Sequence, residues 1–303
     1  MFECTYLYLD ADNNFSTKVK YLNDISILPI LNIYENGINF PLVPVNVFKN
    51  PFENDFKFTL EIKVPDSDKT IPFTVTKLLV LCNSFDRVNA MGRLPDDLFL
   101  SYKQEFRLVH QSEYVVNKHI MNNFLEHVSY LCLSININIS GYNVSSDKLI
   151  INVSNYHIVS ADHLLVLRYI IETYANNCDY EVSMNNGAKC YINISNKSMR
   201  DSTTNQEFQD NINNFISNMS MNHKGNLKIL TNDSEESEFT IDTFDTSKSI
   251  NISADPVGTK KLFIKDCRPL ATINPYKALY IYTRIFNYDT DATIINNYLD
   301  TVD

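Results

Sequence analysis

The sequence predicts an α+β protein, mainly antiparallel β with about three helices, and three observations predict it. Many short segments alternate apolar and polar residues at period 2, the signature of half-buried strands. Three longer segments repeat apolar residues every three or four positions, as amphipathic helices do. The prolines are unevenly placed: Pro29, Pro41, Pro44, Pro51, Pro65, Pro72 and Pro95 fall in the first third, none lies between residues 96 and 255, and Pro256, Pro269 and Pro275 follow. Because proline breaks helices and central strands, this distribution marks a β-rich, sandwich or barrel-like region over residues 1–110 and a more regular α+β region over 111–303.

In the first region Phe56, Phe58, Leu60, Ile62 and Val64 alternate with Lys57, Thr59, Glu61 and Lys63, which reads as a strand with one wet face. Residues 71–82 read as its neighbour, with Pro65-Asp66-Ser67-Asp68 as turn chemistry between them. A first helix is expected over 113–128, capped by Ser112 and striped by Val116, Ile120, Phe124 and Val128. Leu131, Leu133, Ile135, Ile137 and Ile139 then alternate with Cys132, Ser134, Asn136 and Asn138 and read as a strand. The chain turns over 141–147 and returns through Leu149, Ile151 and Val153.

Ser160 is placed to cap a second helix, in which Leu164, Leu167, Ile171 and Tyr174 share a face widened by Leu165, Val166 and Ile170. Tyr180, Val182 and Met184 lead into Asn186-Gly187, a strong hairpin signal, and Tyr191, Ile192 and Ile194 return. A third helix over 206–219 sets Phe208, Ile212, Phe215 and Met219 in step, and Leu227, Ile229 and Leu230 read as a strand. From Leu149 to Leu230 the order is βαββαβ, the split unit of ferredoxin-like folds, which licenses no function. Residues 239–244, 250–254, 262–265 and 279–286 read as a C-terminal β-meander. Nearly the same tetrad recurs at 137–140, 151–154, 192–195 and 250–253, at intervals too unequal for a repeat architecture.

Composition excludes several classes. With 303 residues, 44% hydrophobic and 20% charged, the chain has material for a sizeable core. Its net charge of -10 and pI near 5.1 disfavour nucleic-acid binding through general surface basicity, while leaving room for a local basic groove. No window reaches the roughly 18 apolar residues of a membrane span, and residues 1–10 lack the basic start and apolar run of a signal peptide, so an intracellular, unexported protein is expected. The six glycines, Gly37, Gly92, Gly141, Gly187, Gly225 and Gly258, stand apart. A phosphate-binding loop, a dinucleotide fingerprint and a nucleophile elbow, which need clustered glycines, are therefore missing. Cys4, Cys82, Cys132, Cys178, Cys190 and Cys267 form no CxxC pair and read as reduced, buried thiols. Abundant Asn, Ile, Tyr, Phe and Lys with few Gly and no Trp is what an AT-rich genome encodes, an association that points toward a virus or phage.

Candidate sites are few. His119 and His127 lie eight positions apart, about 12 Å along a helix, too far to share a zinc. Asp10-Ala11-Asp12-Asn13-Asn14 starts like a calcium loop, but Phe15 and Tyr21 stand where its glycine and glutamate belong. Cys178 with His157 or His163 has the elements of a thiolate and base, without spacing that brings them together. Asp233, Glu235, Glu236 and Glu238 form an acidic patch that reads as a solvated loop able to take a basic partner. Tyr280, Tyr282, Arg284, Phe286 and Tyr288 alternate with Leu279, Ile281 and Ile285 and read as one face of a strand, either core or an interaction surface rich in Tyr and Arg.

These features point to a non-enzymatic structural, assembly or scaffolding protein acting through protein contacts and self-association, with no cofactor and no metal. One alternative is an acidic clamp-like or single-strand-binding accessory protein of replication or transcription. Its mark would be Lys57, Lys63, Lys69, Lys148, Lys189 and Lys197 on one surface. The other is a hydrolase or transferase in which His157 or His163 converges with Asp162 or Cys178.

Overall fold

Period-2 alternation becomes strand over much of the chain, in mostly antiparallel sheets accompanied by helices, an α+β architecture. The computed structural model describes residues 2–10, 15–35, 38–52, 60–63, 70–73, 76–91, 97–110, 116–145, 148–185, 187–201, 205–231, 238–242, 248–253 and 263–286. The chain divides into two compact units, Met1–Val88 with Tyr130–Asn136, and Asn89–Ser129 with Ile137–Asp303.

The first unit contains β1 (Phe2–Leu9), β2 (Phe15–Leu22), β3 (Leu31–Glu35), β4 (Ile38–Leu42), β5 (Pro44–Lys49), β6 (Leu60–Lys63), β7 (Thr70–Phe73), β8 (Thr76–Cys82) and most of α1 (Phe85–Met91). Four strands form a sheet in the order β2-β1-β8-β5, with β1 and β8 parallel. One face of its centre packs Cys4, Tyr6, Tyr8, Leu78, Val80 and Cys82 against Leu31, Ile33 and Leu42. Leu7, Leu79 and Leu81 on the other face are equally buried, so these strands are apolar nearly throughout rather than alternating. Tyr6 donates to the Pro29 carbonyl at 3.1 Å, and burial pushes its hydroxyl up to about 12. The strand expected over 56–64 is described only as β6, and 71–82 divides between β7 and β8. Pro72 supplies no N–H, and it sits in the two-stranded β6–β7 ladder, where one side needs none.

The second unit is built on β9 (Phe99–His110). Around it come α2 (Lys118–Ser134, whose end belongs to the first unit), β10 (Ile139–Ser145), β11 (Lys148–Tyr156), α3 (His157–Asn177), β12 (Tyr180–Ser183), β13 (Cys190–Ser195), α4 (Lys197–Asp201), α5 (Asn205–Met221), α6 (His223–Thr231), β14 (Ile241–Asp242), β15 (Ile250–Ser253), β16 (Phe263–Asp266) and α7 (Pro275–Phe286). The sheet order is β10-β11-β9-β13-β16-β15-β14, and β12 also pairs with β9. The boundary expected near residue 110 therefore differs from the observed division, because β9 is central to this second sheet. Even-numbered β9 residues Leu100, Tyr102, Gln104, Phe106 and Leu108 are buried with Ile151, Val153, Ile192, Ile194 and Ile264 of its neighbours. α3 and α7 belong to the helical layer on this side.

Several expected elements are different. The first helix runs through Ser134, because Leu125, Val128, Leu131, Cys132 and Ile135 continue the three-to-four spacing that alternation at Leu131–Ile139 had masked. Its cap is Asn117, whose Oδ1 accepts from the Ile120 N–H at 3.0 Å. β11 passes directly into α3 at His157, φ 54°. Ser160 lies inside the first turn and donates to the His157 carbonyl rather than capping. Leu227, Ile229 and Leu230 lie on α6, in step with buried His223 and Asn226. Asn186-Gly187 joins no hairpin: β12 and β13 both pair antiparallel with β9, at residues 107–110 and 99–104, so the chain keeps its direction. Two elements of the βαββαβ reading thus differ. The last meander strand is α7, started by Asn274 as cap, with Oδ1 accepting from the Tyr276 N–H at 3.0 Å, and Pro275 at the first position.

Polar groups fix the helical layer. Arg168 of α3 is buried, and its guanidinium donates to Gln104 Oε1 at 3.0 and 3.1 Å, to the Ala271 carbonyl at 2.7 Å and to the Ile273 carbonyl at 2.7 Å. Asp266 takes a two-pronged contact from Arg268, at 2.9 and 2.6 Å, and a 3.1 Å bond from the Tyr282 hydroxyl. Truncating Arg168 orphans Gln104 Oε1 and the Ile273 carbonyl inside the protein and leaves the Ala271 carbonyl with only its Gln104 bond. Arg168→Met is expected to cost about 3–5 kcal/mol in urea unfolding, and Arg168→Lys to recover less than half of it, since an ammonium cannot span the same fork. An unchanged midpoint in Arg168→Met would show that these bonds do not hold the layer.

Candidate functional site

The alternation that buries one side of the second unit's sheet sends the other residues to the opposite face. Phe99, Ser101, Lys103, Glu105 and Arg107 of β9 lie there. Strand pairing places Asn152 and Tyr191 beside Lys103, and Asn193 and Asn251 beside Lys265. Three of the recurring tetrads lie in β11, β13 and β15 of this one sheet. Their first isoleucines, Ile151, Ile192 and Ile250, are core and their asparagines, Asn152, Asn193 and Asn251, face the polar side. The recurrence is the two-sided requirement of a shared sheet, a signal that marks this face in the sequence.

Basic groups dominate it. The Lys103 and Lys265 ammoniums lie 5.3 and 4.4 Å from the centre of the half-buried Tyr191 ring. Among the described residues neither lysine has an ion pair with a carboxylate. Burial, with Lys103 nearby, lowers Lys265 below its ordinary value, and burial first and Glu105 next push the Tyr191 hydroxyl up to about 12. Glu105 is committed to the Lys148 ammonium at 2.9 Å and the Lys189 backbone N–H at 3.1 Å. At one end Phe99 packs edge-on against Tyr156, ring centres 5.0 Å apart, with the Arg200 guanidinium 5.7 Å from the Tyr156 ring. Ser154, Ser195 and Asn251 are buried, whereas Ser101, Lys103, Tyr191, Asn193, Phe263 and Lys265 keep partial exposure.

Other sequence candidates fall elsewhere. Tyr280, Tyr282, Arg284 and Phe286 lie on helix α7, not on one strand face. Tyr282 and Arg284 are buried, Tyr280 and Phe286 half-buried, and Tyr288 lies outside the described residues. Of the acidic patch, Asp233, Glu235 and Glu236 lie outside the described residues and Glu238 is exposed. Lys57 and Lys69 also lie outside, Lys63 ends β6, and Lys197 opens α4, its N–H donating to the Asp97 carboxylate. His127 stacks on Tyr174, and no group of three or more His, Cys, Asp or Glu among the described residues is arranged to hold a metal. Asp10 accepts from Ser16, while residues 11–14 are not described. No described helix is long and apolar enough to cross a membrane.

The proposed thiolate and base do not meet: Cys178 caps the far end of α3, about 22 Å along the helix from His163 and farther from His157. Asp162 and His163 are instead buried side by side, with Asp162 accepting from Tyr276 at 2.8 Å. No protein-family model and no curated protein sequence matches the chain.

His163 Nδ1 has no hydrogen-bond partner among the described residues, and burial lowers the imidazole below its ordinary value of 6.5 despite adjacent Asp162. The unfolded chain then takes up a proton there sooner than the folded one. This stabilising difference is complete above pH 6.5 and is lost as pH falls toward the depressed folded value. The slope of urea midpoint against pH between about 6.5 and 5 is expected to be shallower in His163→Gln than in the natural chain. Equal slopes would assign that acid sensitivity to other groups.

Proposed function

We propose that this chain is a non-enzymatic binding protein of nucleic-acid transactions, and that the polar sheet face carries the phosphate backbone. The observation that supports it is charge segregation. On a chain of net charge -10, Lys103, Lys148, Lys189 and Lys265 gather on one face with Arg107 and Arg200 at its ends. Among the described residues three acids share the face: Glu105, engaged by Lys148, Glu181 beside Val109 at the Arg107 end, and Asp242 at the far edge. Local cations of this kind attract polyanions in spite of overall acidity. Lys103→Glu with Lys265→Glu is expected to weaken binding of a labelled oligonucleotide at least about tenfold at low salt and to flatten the salt dependence by about 1 to 2 counterions. Binding unchanged in that variant, with the fold intact by circular dichroism, would place the polyanion elsewhere.

A second reading, assembly through protein contacts, is favoured by the first unit, where Tyr21, Ile27, Ile30 and Tyr34 are 53, 85, 57 and 75% exposed. Large exposed apolar side chains form contact surfaces where they adjoin. If they join copies of the chain, Ile27→Ser with Tyr34→Ser lowers the solution mass by light scattering to that of a monomer. A natural chain monomeric at every concentration removes self-assembly.

A further inference from the structure

We infer that the polar face takes a single strand rather than a duplex, its bases stacking on Tyr191, Phe263 and the Tyr156–Phe99 pair and its phosphates lying on Lys103 and Lys265. This deepens the nucleic-acid reading of the same face and rests on it. A duplex hides its bases and offers phosphates, for which lysines alone suffice. Aromatic rings set among those lysines have a use only where bases are unstacked and present their π-faces.

The rings and cations alternate across the sheet. Tyr191 lies next to Lys103 across the β9–β13 ladder. Phe263 lies two positions from Lys265 on the same side of β16, and is half-buried. Tyr156, 48% exposed, pairs with Phe99 four positions from Lys103, about 13 Å along β9. Arg200 stands over Tyr156. Each aromatic group thus has a cation within reach, at separations that a few nucleotides span. Asn152, Asn193 and Ser101 lie between them and offer donors and acceptors to base edges. Lys103 and Lys265 also repel each other, and a phosphate lying on both would relieve that repulsion.

The test uses the full chain with three probes: a labelled oligothymidine of about 12 nucleotides, a duplex of the same length, and inorganic polyphosphate as competitor. The expected result is a single strand bound at least about tenfold more tightly than the duplex. Tyr191→Leu should weaken the single strand about tenfold, the loss of one stacked base, while leaving polyphosphate competition at the natural level. Tyr191→Phe keeps the ring and should bind as the natural chain does, which guards against a variant that simply unfolds. Equal binding of single strand and duplex, or loss of binding in Tyr191→Phe with the fold retained, overturns the stacking inference and leaves the polyanion reading standing. Failure of all three probes to bind overturns both.

Discussion

The second unit depends on one buried cation. Arg168 brings a guanidinium into the interior without a carboxylate in hydrogen-bond contact among the described residues, a burial that costs several kcal/mol unless every donor finds an acceptor. Gln104 Oε1 and the carbonyls of Ala271 and Ile273 supply them, and Gln104 closes the set by donating to Ala271 at 3.1 Å. Burial lowers the guanidinium from its ordinary value and raises the neighbouring Cys190 thiol to about 11 despite the cation. One side chain therefore joins α3, the central strand and the segment that leads into α7. With α7 so placed, Tyr276 reaches Asp162 and Tyr282 reaches Asp266.

That arrangement decides what the other face of the sheet can be. Once β9 commits Tyr102, Gln104 and Phe106 to the helices, the period of 2 leaves Lys103, Glu105 and Arg107 nowhere else to go. The cations inside and outside are managed differently. Arg168 is surrounded by fixed acceptors, whereas Lys103 and Lys265 are set beside a ring that gives only a weak cation–π attraction. Lys265 also feels the Glu105 carboxylate, and on the proposed reading an anion from outside supplies what the ring and Glu105 do not.

The fold class was legible because alternation and helical stripes are strong signals when one side of an element is wet. α3 and α5 follow from their Leu, Ile and Phe spacing, and β11 and β13 from their alternation. The failures share a cause. Leu131–Ile139 and Leu279–Phe286 are apolar enough to satisfy both periods, and there the caps carry the decision: Asn117 before one helix and Asn274-Pro275 before the other. Asn186-Gly187 is a turn signal in the sequence, but β9 is long enough to pair with both flanking strands in line. The site was hidden because Lys103, Tyr191 and Lys265 are far apart in sequence and meet only through the order β9-β13-β16.

An acidic chain with a basic face is also a physical device. At an ionic strength near 0.1 M a charge is screened over about 10 Å, so a ligand on the face feels Lys103 and Lys265 more than the distributed negative charge of the remainder. Away from that face the same negative charge repels a polyanion. On the nucleic-acid reading, overall acidity, which argues against general backbone neutralisation, would confine binding to a surface where cations and rings occur together, as they do on this face. Net charge excludes a mode of binding, and the sheet register determines whether a local one exists.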